Sequence, residues 1–133
     1  MKTLIPSALA FVALAAPSSA ATGLVTTFKD PTFGRVLARA DGQALYYWTR
    51  ETRAGNRIRC TGACARLWPP LIVRKGLTVT PRRAGFPGRF GVVKRPDGRR
   101  QLTYNRRPLY AYVHEGPRQV LCNDVDGWFV VKP

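Results

Sequence analysis

The chain has 133 residues with 22 Lys and Arg, seven Asp and Glu, one His and three Cys, and its formal net charge is +15. This length suits one domain and excludes folds such as the TIM barrel, which needs about 200 residues or more. One His and three Cys leave few ways to close a metal site with nitrogen and sulfur ligands, and the acidic residues are too few for a highly charged calcium cage.

The first 20 residues have the layout of a secretory signal peptide. Lys2 supplies a positive charge, a mostly apolar stretch begins at Leu4, and small residues lead up to Ala20. This stretch is shorter than the ~20 residues of a transmembrane helix, and no later stretch is long and apolar enough to span a bilayer. Cleavage after Ala20 leaves one β domain, residues 21–133, with a net charge of +14. We therefore expect a periplasmic or secreted protein.

The pattern after this segment predicts short strands separated by turns. Strands are expected at residues 34–39, 44–49, 71–73, 77–80, 90–94, 100–104, 109–113 and 127–131. Residues 21–31 are expected to be a lead-in, and residues 50–59 a basic loop. Between Gly62 and Leu67 there is room for one or two helical turns, which the following prolines would end. Short strands at spacings of about 8–12 residues predict a mainly β fold.

The strand pattern occurs twice, which predicts a duplicated unit. Asp41-Gly42 precedes Leu45-Tyr46-Tyr47-Trp48, and Asp97-Gly98 precedes Leu109-Tyr110-Ala111-Tyr112. We expect two antiparallel β units, a first unit of about residues 34–73 and a second unit of about residues 90–133. Because one unit of this size buries too little surface to be stable, both should pack into a single core.

The repeated residues resemble a bacterial family of secreted and lipid-anchored proteins that contain a secreted repeat of unknown function. Its signature is Tyr-x-aromatic-x-x-Asp. The matching positions are Tyr46, Trp48 and Glu51 in the first copy and Tyr110, Tyr112 and Glu115 in the second. The run Cys-Thr-Gly-Ala-Cys-Ala-Arg-Leu-Trp-Pro-Pro-Leu, which starts at Cys60, is also similar to a stretch of the family. The resemblance implies export and architecture, but no reaction and no ligand.

Two features depart from the family pattern. Both signature Asp positions are Glu here, and Cys122 stands where relatives usually have small polar residues. If the signature carboxylate makes a tight contact with a backbone turn, Glu is a poor substitute because it is one methylene longer. If the carboxylate pairs with a cation, Glu would serve.

The cysteines allow a structural and a chemical interpretation. In an oxidising compartment, the simplest fate of Cys60 and Cys64 is a disulfide that closes a tight loop, which leaves Cys122 unpaired. Cys122 could instead bond to either of them or to a second molecule. The alternative is a copper or dithiol-exchange site in which Cys60, Cys64 and His114 act together.

Catalysis has few candidates. Residues 21–133 contain no Ser, which excludes a serine hydrolase, and His114 and Glu115 are adjacent, so their side chains should point to opposite faces. Glu51 and Glu115 could form a carboxylate pair if the two units are related by a pseudo-twofold axis. We expect a non-enzymatic protein.

The aromatic residues have period two, so Tyr46 and Trp48 should share one strand face, and so should Tyr110 and Tyr112. This pattern favours a stripe of aromatic side chains in the core. The alternative is an exposed aromatic platform on which sugars or bases stack.

The basic charge predicts the class of partner. Arg outnumbers Lys 17 to 5, and arginine pairs with carboxylate or phosphate through two parallel hydrogen bonds. For an exported protein, the anionic partner would be lipid, lipopolysaccharide or glycan rather than intracellular nucleic acid, and the alternative is a charge that only maintains solubility. An inhibitor of a basic lysozyme should itself be acidic, so the positive net charge of this chain argues against that role.

Overall fold

The computed structural model describes residues 2–4, 7–13 and 23–133. The predicted cleavage position after Ala20 and much of the predicted signal peptide lie outside these described residues, so the signal peptide stays a prediction. In the part of the chain that the structure describes, no helix has the length and apolar character needed to cross a membrane.

The described residues form eight short strands and two five-residue helices. In chain order these are β1 Val25–Asp30, β2 Gly34–Arg39, β3 Tyr46–Trp48, α1 Thr49–Arg53, α2 Ala63–Leu67, β4 Ile72–Val73, β5 Phe90–Lys94, β6 Arg100–Tyr104, β7 Arg107–Pro108 and β8 Trp128–Val130. The strands make small antiparallel sheets: β1 with β2, β3 with β8, and β4-β6-β5 with β7 also beside β6. The mainly β class is confirmed.

Several predicted elements agree with the structure. Strands at 34–39, 90–94 and 100–104 have the predicted bounds. The predicted helical turn is α2, and it ends at Leu67, one residue before Trp68 and Pro69. A residue before proline avoids the helical conformation, and Trp68 has φ −120° and ψ 75°.

Four predictions about elements are wrong. Residues 109–113 are not a strand, because within this range the pairing is limited to isolated bridges of Tyr110 with Tyr46 and Pro70. Residues 77–80 are not a strand either. The Leu77 N–H donates to the Arg74 carbonyl in a turn, and the Leu77 carbonyl accepts from the Arg100 guanidinium. The lead-in contains β1, whose buried residues Val25 and Phe28 are three apart and do not show the alternation that identifies a strand. The basic loop begins with α1, where Glu51 is buried.

The last strand of the second unit closes the first unit. The backbone N–H of Leu37 donates to the Val131 carbonyl (2.8 Å), and the N–H of Val131 donates to the Leu45 carbonyl (2.9 Å). The N–H of Leu45 donates to the Leu37 carbonyl (2.9 Å), which completes a ring of three hydrogen bonds. Leu37 and Leu45 belong to the first unit, whereas Val131 comes from the second.

A matching ring closes the second unit. The N–H of Leu102 donates to the Leu71 carbonyl (2.9 Å), and the N–H of Leu71 donates to the Leu109 carbonyl (3.0 Å). The N–H of Leu109 donates to the Leu102 carbonyl (3.1 Å). Here Leu71 is the residue contributed by the other unit. Each predicted unit therefore gives its last strand to its neighbour, whereas the duplication itself stays a prediction.

The core consists of two clusters. The first contains the ring residues together with Val25, Val73, Phe86, Phe90 and Tyr104. The second is rich in aromatic residues, and within it Trp68 stacks on Trp128 with ring centroids 4.0 Å apart. Because Trp68 follows α2 and Trp128 begins β8, this stack joins the ends of the two units.

We expect Leu109→Ala to destabilise the domain by about 2–5 kcal/mol, because it removes a fully buried side chain from the second ring and leaves a cavity. Urea unfolding followed by tryptophan fluorescence measures this loss. The matched control is Leu121→Ala, at a side chain that is 57% exposed, for which we expect a change within about 0.5 kcal/mol. Equal losses in the two variants would contradict the core assignment.

Candidate functional site

Two signature tyrosines meet at the centre of the domain. Tyr46 and Tyr110 are fully buried and form an antiparallel bridge. The Tyr46 N–H donates to the Tyr110 carbonyl (2.8 Å), and the Tyr110 N–H donates to the Tyr46 carbonyl (3.0 Å). The equivalent positions of the two units are therefore direct neighbours.

Each tyrosine binds the signature glutamate of the other unit. The Tyr110 hydroxyl donates to Oε2 of Glu51 (2.6 Å), and the Tyr46 hydroxyl donates a short hydrogen bond to Oε2 of Glu115. Both carboxylates are buried. We call this pair of hydrogen bonds the crossed Tyr–Glu pairs. The structure thus joins each signature glutamate to a tyrosine instead of arranging the two as catalytic carboxylates.

The same carboxylate oxygens also hold loop backbone. Oε2 of Glu51 accepts from the N–H groups of Arg59 (2.8 Å) and Cys60 (3.1 Å), and Oε2 of Glu115 accepts from the N–H of Leu121 (2.8 Å). Of the two interpretations of the signature carboxylate, backbone contact is the one observed. The N–H groups that each glutamate binds lie six to nine residues further along the chain, so the carboxylate spans a loop wider than a tight turn. The longer side chain of glutamate can therefore take the place of the signature aspartate.

Burial keeps the tyrosines protonated as hydrogen-bond donors. Loss of solvent raises the pKa of both Tyr46 and Tyr110 well above the ordinary value, and the neighbouring carboxylates raise it further. Burial also raises the pKa of Glu115, although the Tyr46 hydroxyl and the backbone donors partly offset this. The second oxygen, Oε1, has no hydrogen-bond partner in either glutamate.

A buried arginine, Arg95, also belongs to the site, and the sequence analysis did not identify it. Arg95 donates to Oε1 of Gln101 (2.7 Å) and to the Cys60 carbonyl (2.7 Å), and Gln101 in turn donates to the Leu109 carbonyl (2.7 Å). Arg95 opens an Arg-Pro-Asp-Gly turn, and nothing in the local pattern separates it from the other 16 arginines. Its burial depends on the loop that Glu51 closes.

The predicted disulfide is present. Cys60 and Cys64 are bonded with their Cα atoms 5.1 Å apart, and Cys122 is a buried thiol. Burial raises the pKa of the Cys122 thiol, and the nearby charge of Glu115 raises it further. The disulfide therefore fixes Cys60, whose N–H binds Glu51 and whose carbonyl binds Arg95.

The residues proposed for a metal site are not assembled as ligands. His114 is exposed, and its ring lies edge-on to Tyr112 with centroids 5.5 Å apart. Cys60 and Cys64 are engaged with each other. Among the described residues, no group of three or more His, Cys, Asp or Glu could hold a metal ion.

The aromatic stripe is mostly core. Tyr46 and Tyr110 are buried, whereas Trp48 and Tyr112 are half-buried at the outer ends of the same faces. Trp48 stacks on Trp128 at 5.0 Å, and Tyr112 packs on Trp68 at 4.7 Å. These contacts favour the core interpretation.

We expect Tyr110→Phe to lower the free energy of unfolding by about 1–3 kcal/mol, because the buried Glu51 carboxylate would lose a donor. Urea unfolding measures the change. Tyr47→Phe is the matched control, since Tyr47 lies on the opposite face of β3 and its hydroxyl has no hydrogen bond to either carboxylate. A loss no larger than that of the control would contradict the structural role of the crossed Tyr–Glu pairs.

The raised pKa of Glu115 predicts a pH dependence. As pH rises above the ordinary value of 4.5, the unfolded state loses this proton first, so the folded state binds more protons and stability falls. We therefore expect the stability of the wild type relative to Glu115→Gln to decrease as the pH rises above this ordinary value. Urea unfolding at several pH values tests this. A relative stability that stays constant or rises with pH would show that the folded-state pKa is not raised.

Comparison with known proteins supports the resemblance seen in the sequence. A family model described as a secreted repeat of unknown function matches residues 27–72. No curated protein and no solved structure matches the chain. The matched segment runs from within β1 to the start of β4 and includes Tyr46, Glu51 and the disulfide. Residues 27–72 are therefore similar to this family of secreted repeats, whose function is unknown.

Proposed function

We propose that this chain is a non-enzymatic binding module, exported from the cell, whose partner is an anionic component of the envelope. The candidates are anionic lipid, lipopolysaccharide and acidic glycan. The observation that carries this proposal is the separation of charge between the interior and the surface of the folded domain.

Folding removes acidic residues from the surface and leaves nearly all basic residues there. Two of the seven acidic residues, Glu51 and Glu115, are buried in the crossed Tyr–Glu pairs. Of the 21 Lys and Arg between residues 23 and 133, Arg95 alone is buried. The surface of this region therefore carries 20 basic and five acidic residues.

Few of these cations are neutralised by the protein itself. Within the described residues, two ion pairs lie under 4 Å, Arg39 with Asp41 and Arg99 with Asp97, and both join residues two apart in exposed turns. An uncompensated positive surface attracts anionic partners over roughly a Debye length, about 8–10 Å at physiological salt. The distribution of charge on the folded surface therefore supports the proposal of an anionic partner more strongly than the amino-acid composition does.

The buried carboxylates support a binding role over a catalytic one. A general acid or base must reach a substrate, but Glu51 and Glu115 are enclosed and already bind tyrosine and backbone donors. The exposed His114 lies next to Tyr112, without a carboxylate partner in the described structure. The two buried glutamates therefore have a structural role.

The alternative is a periplasmic copper-binding or thiol-redox accessory protein that uses Cys60, Cys64 and His114. It requires reduction of the observed disulfide, because thiolates bind Cu(I) and attack disulfides. Cys60 is also held by Glu51 and Arg95, so reduction would release a loop that supports the core. The anionic-partner proposal has more support.

We expect the protein, purified with the disulfide intact, to bind both phosphatidylglycerol vesicles and immobilised heparin. It should not bind phosphatidylcholine vesicles. Raising NaCl from about 0.05 M to about 0.5 M should lower the affinity at least tenfold, because exposed charges are screened. Vesicle co-sedimentation and heparin chromatography measure this. If neither anionic surface binds, or if binding ignores salt, the proposal fails.

A further inference from the structure

A groove of about 720 Å³ lies between the segment that follows β4 and the hairpin of β5 and β6. Among the described residues, five cationic side chains and no acidic side chain line it. The cationic residues that line it are Arg74, Lys75, Lys94, Arg99 and Arg100.

The sheet places two of these cations side by side, and hydrogen bonds hold the side chain of one of them. Lys94 and Arg100 are direct partners in the register of β5 and β6, so their side chains share one face. Arg100 also donates from Nη1 to the carbonyls of Arg74 (3.2 Å) and Leu77 (2.9 Å), so its guanidinium is held by backbone. A pre-positioned cation loses little side-chain freedom when it binds an anion.

The positive charge of the groove is largely uncompensated. Asp97 pairs with Arg99 at one end (2.8 Å), and in the described structure no acidic side chain pairs with the other four cations. Several positive groups around one concave surface repel each other until an anion binds among them. This arrangement points to an anionic group as the occupant.

The floor of the groove is apolar. Ile72, Val73 and Val92 line it, and Val73 and Val92 share the sheet face of Lys94 and Arg100. Val92 is 38% exposed on β5, at the edge of its sheet. A sulfated or phosphorylated glycan presents few apolar atoms to such a floor, whereas a phospholipid presents a phosphate beside glycerol and acyl carbons.

We infer that this groove binds an anionic phospholipid, with the phosphate on Lys94 and Arg100 and the adjoining apolar part against Val92, which lies on the same face of the sheet. The inference rests on the proposed function and deepens it, since it assigns one surface and one chemical class to the anionic partner.

The test compares two double variants. One reverses two positive charges in the groove, and the matched control reverses two positive charges outside it. The groove variant is Lys75→Glu with Lys94→Glu. The control is Lys29→Glu with Lys132→Glu, which changes net charge equally. Lys29 is a fair match for Lys94, because it lies opposite Arg35 in the register of β1 and β2, and Arg35 likewise donates to a backbone carbonyl, that of Gly85 (2.6 Å).

We expect the groove variant to bind phosphatidylglycerol vesicles at least about tenfold more weakly than the control variant, because each basic residue near an anionic membrane contributes measurably to binding. Val92→Thr keeps the β-branched shape and should weaken vesicle binding while leaving heparin binding unchanged. Circular dichroism establishes that each variant is folded. The neutral pair Lys75→Gln with Lys94→Gln replaces the reversal if folding is lost.

The outcomes separate the two proposals. Equal weakening of groove and control variants would overturn the groove assignment and leave general anion binding intact. A groove variant that loses heparin but keeps vesicle binding would replace the lipid with a glycan. Wild-type protein that binds neither surface would overturn the proposed function as well.

Discussion

The crossed Tyr–Glu pairs are the constraint on which the rest of the structure depends. A carboxylate removed from water is costly unless it is hydrogen-bonded, and here Oε2 of each one accepts from a tyrosine of the opposite unit and from N–H groups of its own loop. One interaction therefore fixes both a loop and the relation between two halves of the chain. The tryptophan stack and the two rings of backbone hydrogen bonds fit around it, since Tyr46 and Tyr110 form edge contacts with Trp68 and Trp128.

The two halves are not equivalent around this centre. The loop that Glu51 closes also has the disulfide and the buried Arg95, whereas the loop that Glu115 closes ends at the free thiol of Cys122. Cys60 and Cys122 occupy matching places, since Cys60 donates its N–H to Glu51 and Cys122 donates its N–H to the Tyr46 hydroxyl (3.4 Å). Cys122 then acts as a small apolar residue in the aromatic cluster. The family match covers the half with the disulfide.

The arrangement of the core also determines the character of the surface. Because two carboxylates are used internally, the exterior is more basic than the composition suggests, and the end of the β4-β6-β5 sheet concentrates cations over an apolar floor. The stable interior and the proposed binding surface therefore have one common cause, namely where the few acidic residues are placed.

The sequence by itself determined what depends on neighbouring residues. Alternation and turn residues located β2, β5 and β6, the prolines located the end of α2, and a short cysteine spacing indicated the disulfide. It also identified Tyr46, Glu51, Tyr110 and Glu115 as one set. Only the tertiary structure decided that each tyrosine binds the distant glutamate, 59 or 69 residues away, and that each unit lends its last strand to the other. It alone also decided that Arg95 is buried and that five cations share a groove. No local pattern encodes these features, because they follow from how the two halves pack together.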